Sequence, residues 1–399
     1  MSTASIRHRS GYCFRIGIPR QITYHTGFLP PLSAARYDVC SMTRMRIAYV
    51  SFESPVSAGG VAKKMRAQVQ QWMAQGHSVR HIVLGEQPQP GAPDYLRYPV
   101  RRAVVAQFMS ASLYRYAIRK ELSSFAPDVV YIRPTMWWPG LYTVLNGFRV
   151  VEEVNTDMGP EIDAAERHKV IKKALYRTGL VFEAKHIQAS VYTTHELEQR
   201  LSRGQMSCVI GNGVDFPAVP RPVRAASAPP NLVMVSSSAN QPWQGIDQLL
   251  RLATALPDYR FHLVGPFPDL KAPANMQLHG MMDHRRLAGL YDQMDFGIGV
   301  LALHNKKLSE ACPLKVREYS AHGLPTIGGC RDTDLSGAPY YLDVGDMSSD
   351  FDAKLLSVRA FVSEWHGKPF PWEDARQRLN NAIKEQARTS FFEQVVKAR

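Results

Sequence analysis

From Met45 onward, short apolar runs alternate with longer stretches of helical period. Arg46–Phe52, Val79–Leu84, Val129–Arg133, Val150–Asn155 and Ser190–Thr194 are rich in β-branched residues and show no wet face. Runs of that kind predict strands covered on both sides, as in a parallel sheet. Between them, Val61–Gln75, Val104–Phe125 and Ile162–Lys185 carry apolar residues at helical spacing. The pattern then stops at Phe216–Pro230, FPAVPRPVRAASAPP, which has no apolar period and reads as an extended linker. A second alternation follows, with strands Leu232–Ser236, Phe261–Gly265 and Phe296–Leu301 and helices Ile246–Leu256, Arg285–Met294 and Leu314–His322. A last helix near Ala375–Val396 lies beyond a break at Pro369-Phe370-Pro371. The pattern predicts an α/β protein of two doubly wound domains, residues 45–215 and 231–370, joined by the linker 216–230. Residues 371–399 form a C-terminal helical segment. Residues 1–44 break the pattern: they are basic, rich in Ser, Tyr and Pro, and without period. They carry no secretory apolar core, and Met45 opens the first strand, so they read as a disordered extension or an over-called start.

Composition narrows the class. A chain of 399 residues with 45% hydrophobic and 21% charged residues can fill two ordinary cores. No apolar run is long enough to span a bilayer. Five cysteines (Cys13, Cys40, Cys208, Cys312 and Cys330) lack metal spacing, and suggest free thiols in a reducing cytoplasm. A net charge of +13 favours an anionic partner. Nucleic acid is not the expected one, because the chain lacks an RNP, zinc or helix-turn-helix signature.

The densest chemistry lies in Glu310–Pro325, EACPLKVREYSAHGLP. Pro313 suits the first turn of a helix, and Gly323 suits the left-handed residue after its end. Lys315 would then sit at the electropositive end of that helix, where a cation is misplaced unless an anion docks with it. Glu318 lies one turn further on the same face and could accept both hydroxyls of a vicinal diol. Phosphate beside a ribose diol points to a nucleotide.

The spacing Glu310…Glu318 followed by His322-Gly323-Leu324-Pro325 resembles the E-x7-E motif of GT-B glycosyltransferases, especially the GT4-like retaining family. Weaker motifs fall in the same order: Gly59-Gly60 after the first strand, Glu153-Val154-Asn155 closing another, Asn212-Gly213-Val214-Asp215 before the linker, and Trp243-Gln244-Gly245-Ile246-Asp247 after it. The resemblance implies two Rossmann-like domains facing a central cleft, with a C-terminal helix crossing back to the first. It implies a nucleotide-sugar donor (UDP- or GDP-sugar), no required metal, and a glycan or polyprenyl- or lipid-linked acceptor in cell-surface polysaccharide synthesis. By that resemblance Gly59, Gly60, Leu314 and Lys315 serve the leaving diphosphate, Glu318 the ribose, Glu310 the donor sugar, and Asn155 the cleft near the anomeric carbon. One departure stands out: two positions at which the family carries diphosphate-binding cations are Ser238 and Gln244 here. Lys315 is the natural replacement, with Lys306 and Lys307 as further candidates.

Other residues admit two readings. Asp157 is either the base of an inverting reaction or the cap of a helix starting near Pro160, and Glu161 raises the same question. Asp332-Thr333-Asp334 looks like a D-x-D metal motif but lies after a Gly-Gly turn, so turn residues are expected there. A basic and aromatic helical face carrying Arg101, Arg102, Arg115, Arg119 and Lys120 suits either an anionic membrane, at the inner face of the cell membrane, or solvent. The two missing cations also leave room for a non-catalytic module that binds a nucleotide sugar.

Overall fold

The computed structural model describes residues 43–52, 59–85, 96–99, 112–133, 144–163, 169–222, 225–226, 229–239 and 241–398. The first sheet has seven parallel strands: β1 (Arg46–Ser51), β2 (Ser78–Gly85), β3 (Leu96–Pro99), β4 (Val129–Ile132), β5 (Val150–Val154), β6 (Ala189–Tyr192) and β7 (Met206–Val209), in the order β3-β2-β1-β4-β5-β6-β7. The second sheet has six parallel strands: β8 (Asn231–Val235), β9 (Arg260–Val264), β10 (Met276–Leu278), β11 (Phe296–Ile298), β13 (Thr326–Gly328) and β15 (Tyr341–Asp343), in the order β10-β9-β8-β11-β13-β15. Two short strands, β12 (Glu310–Ala311) and β14 (Arg331–Asp332), pair with each other. In both sheets the strand order reverses beside the first strand, between β1 and β4 and between β8 and β11. Ligands of doubly wound folds bind outside the carboxyl ends of the strands at such switch points.

The helices are α1 (Gly60–Ala74), α2 (Arg115–Phe125), α3 (Met158–Asp163), α4 (Lys169–His186), α5 (His195–Leu201), α6 (Ile246–Ala255), α7 (His284–Tyr291), α8 (Leu314–Ala321), α9 (Phe351–Trp365), α10 (Trp372–Leu379) and α11 (Asn381–Lys397). Several start where side chains supply the missing acceptor: Thr194 caps α5, Asp283 caps α7 and Asn380 caps α11. One face of the first sheet packs on α1 and α11, where Trp72, Tyr49, Tyr131, Phe391 and Phe392 meet. The other face packs on Ile118 and Leu122 of α2. The second sheet has its own core around Leu232, Met234, Phe296, Ile298 and Phe361.

Several elements differ from the sequence reading. The helix expected over Ile162–Lys185 is two helices, α3 and α4, on either side of residues 164–168, which lie outside the described residues. Of Val104–Phe125, the part before residue 112 lies outside them too, and α2 is what is described. Pro313 is the N-cap of α8 rather than its first helical residue, while Gly323 is left-handed at φ 71°. The final helix is broken at Asn380, whose backbone is extended at φ −64° and ψ 132°. That break lets Val214 pair with the chain: its N–H donates to the Leu379 carbonyl and its own carbonyl accepts from Asn381 N. Two crossings between the sheets are thereby tied together. Gly213 suits the close approach there: a Cβ would lie 2.4 Å from Asn381 Oδ1 and 3.0 Å from its Cα.

Candidate active site

Two helix starts meet in the cleft. Gly59-Gly60 follows β1 and opens α1; Pro313 opens α8 on the opposite wall. Neither start has a side-chain cap, and neither has an acidic residue in its first turn. They are in contact: a Cβ on Gly60 would lie 3.1 Å from Leu314 Cδ1. Free amides and the positive dipole ends of two helices therefore face one small region. Three lysines occupy the same helix starts. Lys63 Nζ is 2.9 Å from Glu318 Oε1 across the cleft, and Tyr291 OH is 3.4 Å from Glu318 Oε2. Lys64 is buried, with Nζ 2.7 Å from Glu153 Oε1 and 3.1 Å from Asn155 Oδ1. Lys315 Nζ donates to Gln244 Oε1 at 2.6 Å, so the lysine proposed as a substitute lies on the very side chain it would replace. The space enclosed by Gly60, Lys63, Lys64, Leu314, Glu318 and Asp215 is about 20 Å³. Small-molecule sites are on the order of 300 Å³ or more, so the seam as it stands is too small to enclose one.

Burial tunes these lysines. It pushes the Lys315 ammonium down to about 7. Burial also lowers Lys64, to about 8, against the opposing pull of Glu153. Burial disfavours the Glu153 carboxylate as well, but Lys64, Arg388 and Arg133 outweigh it and hold it well below the usual carboxylate range. Glu153 is the hub of a buried network: it accepts from Gln68 Nε2 at 3.0 Å and from Tyr131 OH at 2.6 Å. Arg388 of α11 reaches the Tyr131 hydroxyl at 3.0 Å and Glu385 Oε2 at 2.9 Å, and Trp72 donates to the same Glu385 oxygen at 2.9 Å. The network fixes α1 and the end of β5 as one rigid wall.

The remaining predicted residues fall around this centre. Glu310 is buried, and its carboxylate accepts the amides of His195 at 3.3 Å and Glu196 at 2.9 Å, at the start of α5. In return, Glu196 Oε2 accepts the Ser309 and Glu310 amides, both at 2.8 Å. The pair clasps the two walls together, a role the sequence did not suggest for Glu310. Asp157 Oδ1 accepts the Gly159 amide at 2.9 Å, the capping geometry. Glu161 pairs with Lys306, whose Nζ also lies 3.9 Å from the Trp243 ring. Lys307 is exposed. Asp332 and Asp334 both hold the fully buried Arg317, and Asp332 Oδ1 accepts the amides of Asp334 and Leu335. Arg101 and Arg102 lie outside the described residues. Arg119 folds back on the Phe148 ring and the Val144 carbonyl, Arg115 donates to the Ser112 carbonyl, and Lys120 is exposed. Sequence reasoning missed Lys63, Lys64, Glu196 and Arg317. The dipole argument used for Lys315 applied equally to Lys63 and Lys64, which lie at the first turn of α1, just after Gly59-Gly60-Val61-Ala62.

No protein-family model and no curated protein matches the chain. Solved structures do. Sucrose-phosphate synthase from Thermosynechococcus elongatus is similar at a TM-score of 0.67 and 15% identity, over 89% of this chain and 100% of that one. The lipopolysaccharide outer core galactosyltransferase WaaB matches at a TM-score of 0.63 and 10% identity, over 88% and 100%. An α-glucosyltransferase in complex with UDP and DNA matches at 0.56 and 11%, over 88% and 100%. The chain has the GT-B fold. The contact between α1 and α8 is thus the contact between the two walls of a GT-B cleft, and Lys63, Glu318 and Lys315 stand on it.

Proposed function

We propose that this protein is a glycosyltransferase that moves a sugar from a nucleotide-sugar donor, a UDP- or GDP-sugar, onto a glycan or lipid-linked acceptor. The observation that carries the reading is the convergence of two uncapped helix starts, three lysines and Glu318 at the seam of the GT-B cleft. Similar folds hold UDP and UDP-glucose, which supports this class of donor. In glycosyl transfer, positive charge grows at the anomeric carbon while negative charge grows on the leaving diphosphate. Helix amides and ammonium groups held in place beforehand stabilise that negative charge without a reorganisation cost. Lys315 and the Leu314 and Lys315 amides serve the diphosphate, and the Gly59-Gly60 loop closes over it. Glu318 takes the ribose diol. This set supplies the positive charge a divalent metal would otherwise bring, so the reaction proposed is metal-independent. Retention of configuration is the favoured outcome. Of the two carboxylates considered as a base for inversion, Asp157 accepts the Gly159 amide and Glu161 pairs with Lys306.

A lipid-linked acceptor is favoured by the surface beyond β5. No described helix is long and apolar enough to cross a membrane. Yet α4 leaves Val170 81%, Ile171 46% and Val181 63% exposed, with Arg177 and Lys185 exposed on the same helix. The β3-to-β4 and β5-to-β6 connections step the same way across the sheet, so right-handed crossovers put α2 and α4 on one face. Exposed apolar side chains among cations suit shallow docking on an anionic membrane. The cytoplasmic side of a membrane is the expected site of action. The test of the whole reading is a thermal-shift titration with UDP, GDP, ADP and their sugars. Stabilisation of about 2.7 kcal/mol is expected at a hundredfold excess over Kd for the cognate nucleotide. No shift with any nucleotide, in a folded sample, would overturn it.

A further inference from the structure

The second wall of the cleft carries two neutral residues, Ser238 and Gln244, where the resembled family carries cations. Ser236 Oγ donates to the Ser238 carbonyl, and the Gln244 amide bonds Gln241 Oε1 and Lys315. At these positions one half-buried lysine, Lys315, is thus what that wall offers a doubly charged leaving group. The first wall is better supplied. Lys63 and Lys64 are adjacent on α1, beside its uncapped start, but their circumstances differ. Lys64 is locked by Glu153 and Asn155 and neutralises a buried carboxylate. Lys63 keeps 41% of its side chain exposed, and its ion pair is with Glu318.

We propose that Lys63 is the mobile cation of the diphosphate site: in the closed cleft it holds Glu318, and it passes to the donor diphosphate as the ribose takes the carboxylate. The proposal rests on the reading of the cleft as a nucleotide-sugar site. A diol needs the Glu318 oxygens, and Lys63 occupies Oε1 while Tyr291 OH lies near Oε2. The diphosphate is attached to that same ribose. Rotation about the flexible four-carbon stem of lysine therefore carries Nζ from one group to the other. After the exchange the ammonium is paired with the diphosphate, and the Glu318 carboxylate is held by hydrogen bonds from the diol and from Tyr291. It also makes the positive charge at the leaving group depend on the first wall being in place, which couples cleft closure to leaving-group stabilisation. Lys63 here is a binding residue for the diphosphate, supplied from the opposite wall of the cleft, and it fills the place of one missing cation.

The test is calorimetric titration of the full chain, wild type, Lys63→Met and Lys63→Arg, with uridine, UMP and UDP and with guanosine, GMP and GDP. Lys63 is partly exposed, so both variants should fold, and a melting curve checks this. With the cognate base, Lys63→Met is expected to lose about tenfold to a hundredfold in nucleoside diphosphate affinity, the usual worth of a charge-assisted contact. Its nucleoside affinity should hold or rise, because Glu318 is released, and Lys63→Arg should keep most of the diphosphate affinity. Unchanged diphosphate binding in Lys63→Met would overturn the proposal. So would a loss of equal proportion for nucleoside, monophosphate and diphosphate, which would mark a closure contact only. A wild-type chain that binds no nucleotide at all would instead remove the reading of the cleft on which the proposal stands.

Discussion

Arg317→Met tests whether the D-x-D sequence is structural. Arg317 and Asp332 have fully buried side chains, and Asp334 is 11% exposed. The guanidinium holds both carboxylates, and its Nε donates to the Asn212 carbonyl at 3.2 Å, next to the Gly213 crossing. Methionine keeps most of the apolar stem and removes the charge. Asp334 would still face Lys384, but Asp332 would be stranded. Breaking a buried pair by deleting one partner costs about 3–5 kcal/mol. Unfolding entropy of about 2.1 cal/mol/K per residue, over a body of about 350 residues, converts this to a fall in Tm of about 4–7 °C. Circular dichroism melts at pH 7 measure it, and Arg317→Met with Asp332→Asn should recover most of the loss, since no charge is then stranded. The pH dependence has a definite sign. Burial opposes the Asp334 charge, but Arg317 and Lys384 hold its carboxyl below the ordinary 3.8. Its contribution is therefore complete above about pH 4 and disappears as pH falls through the lowered value, so the gap between wild type and variant narrows in acid. A loss under about 1 kcal/mol, or a double variant no better than the single one, would refute the reasoning. Stabilisation of wild type by Mn²⁺ or Mg²⁺ that is lost in Asp332→Asn would return these residues to a metal site.

Three further outcomes are expected. Glu310→Gln should cost about 1–2 kcal/mol in stability by weakening the cap it gives α5, and should slow turnover while leaving nucleoside diphosphate affinity unchanged; a loss of nucleotide affinity would show that Glu310 reaches the nucleotide itself. Lys315 is depressed from 10.5 to about 7, so the protein should gain stability as pH rises from about 7 toward 10.5, while a bound diphosphate restores the proton. Donor affinity should then fall above pH 7 with proton uptake on binding, seen by calorimetry in buffers of different ionisation enthalpy, and Lys315→Met should flatten the profile. Val170→Glu with Val181→Glu should reduce co-sedimentation with anionic vesicles at low salt without lowering Tm, because both side chains are exposed; unchanged sedimentation would exclude α4 as the docking element.

The sequence by itself determined the buried strands and the main helices, because apolar period is local and β1, β4, β5, β8 and β9 announce themselves in runs of five or so residues. It also determined the start and end of α8, since Pro313 and Gly323 restrict the backbone wherever they stand, and it made Lys315 conspicuous through the dipole. The tertiary structure decided what each charge faces. Lys63 and Glu318 are 255 positions apart, Lys64 and Glu153 are 89 apart, and Glu310 meets its amides 114 and 115 positions away. The dipole at the start of Gly59–Met65 marks Lys63 and Lys64 as oddly placed, but which carboxylate each faces is not written in the local pattern. The break at Asn380 was hidden for the same reason: residues 372–397 are helical in pattern throughout, and the extended residue exists because Val214 needs a partner for its backbone there. Local sequence sets which backbone shapes are cheap. Which polar groups must find partners, and how far away, is set only when the two walls pack and exclude water between them.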